Sequence, residues 1–321
     1  MQEQAPQALN SQLRPETWDE YIGQQSIKDN LHILLTAAQN RGQQPEHLLF
    51  YGPPGLGKTT LSYLIAKEIG RNIKTTSGPA IEKVGDLASI LTNLSEGDVL
   101  FIDEIHRLNK NIEEVLYPAM ESGFLDIIIG KGPSARTIQL DLPPFTLIAA
   151  TTKIAMLSAP LRSRFSGGTF KLEFYTNEEM ETIIHQSAAK LGIRIDTDAA
   201  REIAIRSRYT PRTANYFLKR VRDFADVHNK AINKDTVLES LSLIGVDEIG
   251  LHQNDRDILN TIIDKFNGGP VGLRTLAIAT HEEKDTLESV VEPYLVQLGL
   301  VELTSRGRVA TEKAYAHLGK K

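Results

Sequence analysis

One octapeptide limits what this chain can fold into: Gly52-Pro-Pro-Gly-Leu-Gly-Lys-Thr59. The apolar run His47-Leu-Leu-Phe-Tyr51 leads into it, and Leu61, Leu64, Ile65 and Ile69 follow at helical spacing. Strand, glycine loop and helix form the context in which such a loop binds phosphate; without those flanks it would be a simple turn. Gly52, Gly55 and Gly57 let the backbone curl until its N–H groups converge on anionic oxygens. The helix starting near Lys58 adds its positive dipole end. In that frame Lys58 reaches the β- and γ-phosphates of a nucleotide, and Thr59 offers its hydroxyl to Mg²⁺.

Composition narrows the rest. The 321 residues suffice for two or three domains, and no run approaches the ~18 consecutive apolar residues of a membrane span. The polar start Met1-Gln-Glu-Gln-Ala-Pro-Gln7 lacks the basic and apolar regions of a secretory signal. Cysteine is absent, which excludes disulfides and thiolate metal sites and agrees with a cytoplasmic setting. A net charge of −5 rules out a general basic coat, so any DNA contact must come from a local cluster. Residues 200–222 carry Arg201, Arg206, Arg208, Arg212, Lys219, Arg220 and Arg222 against Glu202 alone. Residues 303–321 carry Arg306, Arg308, Lys313, Lys320 and Lys321 against Glu312 alone. Either cluster is also compatible with a solvated charged face.

The order of elements predicts three domains. Residues 1–175 alternate strands (His47–Tyr51, Ile73–Thr76, Asp98–Ile102, Phe145–Ala149, Thr169–Phe174) with helices, which predicts an α/β domain with a parallel sheet. Within it, Leu125-Asp-Ile-Ile-Ile-Gly130 and Ala135-Arg-Thr-Ile-Gln-Leu140 flank Lys131-Gly-Pro-Ser134 and predict a hairpin standing off the sheet. Residues 176–250 lose the strand signals. Thr176 with Glu179 gives a capping-box start and Leu191-Gly192 a stop, so a smaller all-helical domain is expected. In residues 251–321, Ile258, Leu259, Ile262, Ile263 and Phe266 make one helix face, a short helix lies around Leu273–Ala279, and a third helix is kinked at Pro293. Leu300–Leu303, a turn with Arg306 and Arg308, and Val309–Thr311 complete a winged-helix plan; a helical oligomerisation cap is the competing plan.

The chemistry lies at strand ends. Asp98-Val-Leu-Phe-Ile-Asp103-Glu104 is a buried strand ending in two carboxylates, placed where α/β proteins bind ligands. After a P-loop, Asp103 is expected to hold Mg²⁺ and Glu104 to polarise the attacking water. The strand Phe145–Ala149 runs into Thr151-Thr152, where a hydroxyl would sense the γ-phosphate. Arg162 and Arg164 follow in Ser158-Ala-Pro-Leu-Arg-Ser-Arg-Phe165; in an oligomeric ATPase either would reach a neighbour's γ-phosphate, a contact worth roughly 10³–10⁵ in rate. Pro211-Arg212 opens a helix from which Arg212 would cap the helix or fold over the nucleotide.

With these motifs in this order, the chain resembles the AAA+ ATPases, and within them the RuvB family of bacterial Holliday-junction branch-migration motors. The closest matches are Leu13-Arg-Pro15, Tyr21-Ile-Gly-Gln24, Phe101-Ile-Asp-Glu-Ile-His-Arg-Leu108, Glu114-Val-Leu-Tyr-Pro-Ala-Met-Glu121, Asp141-Leu-Pro-Pro-Phe-Thr-Leu147, Gly268-Gly-Pro-Val-Gly-Leu273 and Glu292-Pro-Tyr-Leu295. The resemblance spans residues 13 to 318. It implies an AAA+ P-loop domain, an all-α lid and a winged-helix head. It also implies ATP and Mg²⁺, a homohexameric ring on the double-stranded arms of Holliday junctions, RuvA docked through the 125–140 hairpin, and RuvC in the wider complex. By the same resemblance Leu13, Arg14 and Tyr175 frame the adenosine, and Gly55, Gly57, Lys58, Thr59 and Thr60 the phosphates. Thr152 is the first sensor, Arg164 the finger acting in trans, and Arg212 the second sensor. Glu121, Ser122 and Gly123 lie at the neighbour's nucleotide, and Arg306 and Arg308 touch DNA.

Three positions depart from the family pattern. Ser122-Gly123 replaces an acidic and an aromatic residue, Ala149 replaces a glycine, and Ser166-Gly-Gly-Thr169 is one residue longer. Two other classes compete: an ATPase that loads a clamp or initiator onto DNA, and a winged-helix regulator using ATP as a switch. The first would bring a cysteine zinc module or helical collar, and neither is visible; Glu104 and an in-trans arginine speak against the second.

Overall fold

The computed structural model describes residues 12–129 and 136–320. The chain divides into two compact units. The first comprises Pro15–Gly52 and Gly57–Glu173; the second takes the rest of the described residues, including Leu13, Arg14, Pro53–Leu56 and the chain from Phe174 onward.

Among the described residues, seven strands run through the first unit: β1 (Leu48–Tyr51), β2 (Ile73–Ser77), β3 (Val99–Asp103), β4 (Phe124–Ile129), β5 (Arg136–Asp141), β6 (Thr146–Thr151) and β7 (Gly168–Lys171). Five of them form a parallel sheet in the order β2-β3-β6-β1-β7. The inner strands β1, β3 and β6 are apolar almost throughout because helices cover both faces, and the edge strands β2 and β7 are only partly buried. On one face Leu87 and Leu91 of helix Val84–Thr92 and Leu116 of helix Lys110–Ser122 pack with Leu100, Ile102 and Leu147 of the sheet. The parallel register pairs Tyr51 with Thr151 and Ile102 with Ala149, so β1, β3 and β6 end at one edge. That edge carries the conspicuous polar residues of the sequence.

The expected hairpin is β4 paired antiparallel with β5, Leu125 opposite Leu140. Leu125 is wholly buried and roots it in the core, whereas Asp126 and Arg136 to Gln139 are exposed. Its expected turn, Lys131-Gly-Pro-Ser134, lies outside the described residues.

The second unit holds four lid helices, Asn177–Lys190, Thr197–Arg206, Pro211–His228 and Lys234–Leu243. The capping box forms as expected: Glu179 N–H donates to Thr176 Oγ1 at 3.2 Å and Thr176 N–H to Glu179 Oε2 at 2.8 Å. Phe217, Leu218 and Val221 of the third helix are fully buried with Ile184, Ile203 and Val237. The winged-helix plan is present too: helices Gln253–Asn260, Leu273–Thr280 and Glu292–Gln297, then β8 (Val301–Thr304) paired antiparallel with β9 (Gly307–Ala310). Before Pro293 the helix loosens into a π-helical turn, Leu287–Val291, because proline lacks the N–H that would continue the ladder. A final helix, Glu312–His317, was not expected.

Lid and head meet in a tight knot. Arg208 and Tyr209 are consecutive non-glycine residues with φ of 55° and 54°. This turn aims Arg208 at the buried Asp255, with its guanidinium 5.0 Å above the Tyr294 ring. The Tyr209 ring lies 6.2 Å from that of Tyr294, whose hydroxyl donates to the Ile249 carbonyl.

Candidate active site

The phosphate loop leaves β1 at Gly52, whose φ is 141°; a Cβ there would stand 2.7 Å from the Leu172 carbonyl oxygen. Gly57, with φ 99°, faces Tyr21 so closely that a Cβ would lie 2.8 Å from its hydroxyl. Lys58 opens helix Lys58–Glu68, is 6% exposed, and donates from Nζ to the Gly52 carbonyl at 2.7 Å. A buried ammonium drawn across a curled loop at a helix N-terminus is suited to a phosphate. Thr59 and Thr60 follow in the first helical turn, both half-buried.

Asp103 and Glu104 stand at the end of β3. Asp103 Oδ1 accepts the Glu104 N–H at 3.0 Å. Glu104 has φ 50° and ψ 45°, left-handed for a non-glycine residue, and this turns its side chain out of the strand direction. The Thr152 hydroxyl donates to Glu104 Oε2 at 3.1 Å, and His106 Nδ1 lies 3.3 Å from the same oxygen. His106 Nδ1 is also 2.9 Å from Thr151 Oγ1, which accepts the Lys153 N–H at 3.0 Å. The structure thus brings Glu104 and Thr152 together and adds His106, whose role the sequence did not reveal.

Arg164 lies on the same unit as part of another group. Its guanidinium sits 4.4 Å above the Tyr117 ring, pairs with Glu121 Oε1 at 3.0 Å and donates to the Pro160 carbonyl at 2.7 Å. Burial pushes the Tyr117 phenol up, so it stays neutral beneath the cation. Arg162 is exposed. Ser122 is exposed and Gly123 ends helix Lys110–Ser122 at φ 69°. Arg164 and the Glu121–Gly123 segment therefore share one surface.

The remaining expected ligands belong to the second unit. Gly55 has φ 85°, and a Cβ there would lie 3.0 Å from Arg212 Cβ and 3.5 Å from Thr210 Cβ. Only glycine lets the loop approach helix Pro211–His228 this closely. Arg212, in the first turn of that helix, is exposed. Tyr175 is 4% exposed and donates from its hydroxyl to the Leu56 carbonyl at 3.1 Å. Leu13 is buried, and the carbonyl of exposed Arg14 accepts from Lys190 Nζ at 2.8 Å.

The wing differs from expectation in one respect. Arg306 is exposed at the turn, but Arg308 donates from Nε and Nη2 to the two oxygens of Glu292, at 2.5 Å and 2.9 Å. Glu292 is 6% exposed, so the pair is nearly buried and braces the wing against helix Glu292–Gln297.

Comparison with protein families matches almost the whole chain. The Holliday junction DNA helicase RuvB P-loop domain matches residues 13–171, the RuvB AAA lid domain residues 175–247, and the RuvB C-terminal winged helix domain residues 248–319. The chain belongs to the RuvB family. It is 55% identical over 313 residues to the Holliday junction branch migration complex subunit RuvB of Fusobacterium nucleatum, covering 97% of this chain and 94% of that protein. It is 57% identical over 311 residues to the subunit of the same name from Dehalococcoides mccartyi, covering 97% and 89%. The solved structure of the Thermotoga maritima RuvB Holliday junction branch migration motor superposes with a TM-score of 0.88 at 49% identity, over 97% of this chain and 99% of that one. The expected fold class stands: a P-loop AAA+ domain with a parallel sheet, a helical lid and a winged helix. Among the described residues no helix is long and apolar enough to cross a membrane.

Proposed function

We propose that this chain is an ATP-driven motor that translocates double-stranded DNA and so drives branch migration of Holliday junctions in recombination and repair. It is a P-loop AAA+ ATPase, and its relatives are subunits of the Holliday junction branch migration complex. Family membership sets aside the loader and the regulator. The observation that carries the residue assignments is the bond between the Thr152 hydroxyl and the Glu104 carboxylate, which joins a sensing group on β6 to a base at the end of β3.

The loop N–H groups and Lys58 hold the phosphates. Hydroxyl and carboxylate oxygens suit a hard cation, so Thr59 and Asp103 are the residues that would hold Mg²⁺, which would neutralise charge on the β- and γ-phosphates. Asp103 offers Oδ2 for this, since Oδ1 accepts the Glu104 N–H. Glu104 takes a proton from water as the water oxygen attacks the γ-phosphorus and the bond to the β-phosphate oxygen breaks. Thr152 reports the γ-phosphate to Glu104. Leu13, Arg14 and Tyr175 frame the adenosine, and Arg212 senses the nucleotide from the lid.

Arg164 acts in trans. Its grouping with Glu121 on one surface supports a site completed by a neighbouring copy in a homohexamer. RuvA docks on the β4–β5 hairpin, where Ile138 is 44% exposed, and RuvC joins the larger complex. Arg306 grips the duplex backbone without reading sequence.

The test is Glu104→Gln. Nucleotide binding is expected to persist while phosphate release falls at least about 100-fold. Turnover within a few-fold of the parent would refute the assignment of the base.

A further inference from the structure

We propose that His106 is a positioning residue for hydrolysis: its Nδ1–H, shared between Glu104 and Thr151, clamps the catalytic carboxylate in place. The inference rests on Glu104 being the base.

The tautomer follows from the surroundings. Nδ1 lies 3.3 Å from Glu104 Oε2 and 2.9 Å from Thr151 Oγ1. An unprotonated Nδ1 would set its lone pair against a carboxylate oxygen, which is repulsive. A protonated Nδ1 makes a charge-assisted contact with Glu104 and shares its hydrogen with the threonine. Thr151 is a rigid partner: it is 0% exposed, ends the central strand β6, and has its Oγ1 fixed by the Lys153 N–H at 3.0 Å. The imidazole is therefore a strut from the sheet edge to the carboxylate.

The need for a strut comes from the backbone. Glu104 is the left-handed residue, with φ 50°, just past β3, so the strand itself does not fix its side chain. Gly78 packs so tightly against the Glu104 carbonyl that a Cβ would overlap it, which braces the main chain only. Oε2 accepts the Thr152 hydroxyl and lies 3.3 Å from His106 Nδ1, the second group placed to donate to it. Oε1 remains to take the proton of water. Holding one oxygen at two points fixes the direction of the other, and a misplacement of about 1 Å in a reacting group costs on the order of 100-fold in rate. The two donors are unequal in kind. Thr152 is the group expected to feel the γ-phosphate, so its bond is made and broken during turnover. His106 is tied to the sheet and keeps the carboxylate in position when Thr152 lets go.

The experiment compares His106→Ala, His106→Asn, Glu104→Gln and the Glu104→Gln/His106→Ala double variant in DNA-stimulated ATP hydrolysis, with affinity for a fluorescent ATP analogue measured separately. His106→Ala should lower kcat about 10- to 100-fold while KM and analogue affinity change less than about threefold. His106→Asn, which keeps an N–H donor near the Nδ1 position, should recover kcat to within about threefold of the parent. In the Glu104→Gln background, His106→Ala should bring no further loss, because the imidazole acts only through that carboxylate. The proposal is overturned if kcat of His106→Ala is unchanged, if Asn fails to rescue, or if analogue binding falls in step with kcat. Should His106→Ala not fold, His106→Asn still decides: a fall in its kcat of more than about tenfold overturns the donor role, and near-parental turnover sustains it. Full activity of Glu104→Gln would instead defeat the assignment of the base.

Discussion

Arg164 pairs with Glu121 across 3.0 Å while lying flat over Tyr117 at 4.4 Å. The glutamate side chain is 55% exposed, so the pair contributes little to stability. Arg164→Ala should therefore melt within about 3 °C of the parent yet lose ATP turnover by roughly 10³-fold. Mixed rings of Arg164→Ala with Lys58→Ala subunits should regain activity, because one supplies an intact loop and the other an intact arginine. A phosphate-release assay across mixing ratios checks this, and no rescue at any ratio would leave the in-trans role unsupported.

Arg306 and Arg308 sit two residues apart and should fail differently. Arg308→Ala strands the nearly buried Glu292 carboxylate and should destabilise the head by about 3 kcal/mol, measured by denaturant unfolding. Arg306→Ala should leave stability unchanged, weaken DNA binding at every sequence alike, and lower the slope of log affinity against log salt by roughly one.

Gly57→Ala tests the loop. At φ 99° an alanine is strained, and its Cβ meets the Tyr21 hydroxyl at 2.8 Å. Nucleotide binding should be lost, with the circular-dichroism spectrum of the fold retained. Tyr21→Phe in the same chain should relieve only the steric part, since the backbone strain remains.

Asp247, at the end of the lid, pairs with Arg256 and His317 of the head and should make stability depend on pH. Burial pushes its carboxyl up, but hydrogen bonds from His317, the Leu251 and Ile249 N–H groups and Arg256 outweigh this and hold it below the usual carboxylate range. A carboxylate more acidic when folded than when unfolded stabilises the folded state above the ordinary range near ~4, and that contribution disappears as pH falls through its folded pKa. Asp247→Asn should thus lower stability at pH 7 by about 1–3 kcal/mol, and the gap to the parent should close as pH drops below about 4. A gap constant between pH 3 and 7 would contradict the assignment.

Much of this architecture was readable in the chain. The buried strands β1, β3 and β6 read as short apolar runs because both faces of a parallel sheet are covered, and the loop glycines announce themselves by spacing. The Pro293 discontinuity and the capping box of Thr176 are local events, encoded within a few residues. What stayed hidden depends on which strands become neighbours. His106 meets Thr151 across 45 residues only because β3 pairs with β6, an adjacency made by a crossover that local pattern does not encode. The Arg308–Glu292 bond is hidden for the same reason, since an arginine on a wing looks identical whether it points at solvent or at the helix beneath. The left-handed turn at Glu104 leaves no trace in residue type at all.

The paired left-handed residues Arg208 and Tyr209 stand directly before Thr210, Pro211 and Arg212 in the chain. Through Asp255 and Tyr294 they tie the start of the helix that carries Arg212 to the module that carries Arg306. Lid and winged helix are thus fastened to each other by paired side chains as well as by the chain that runs between them.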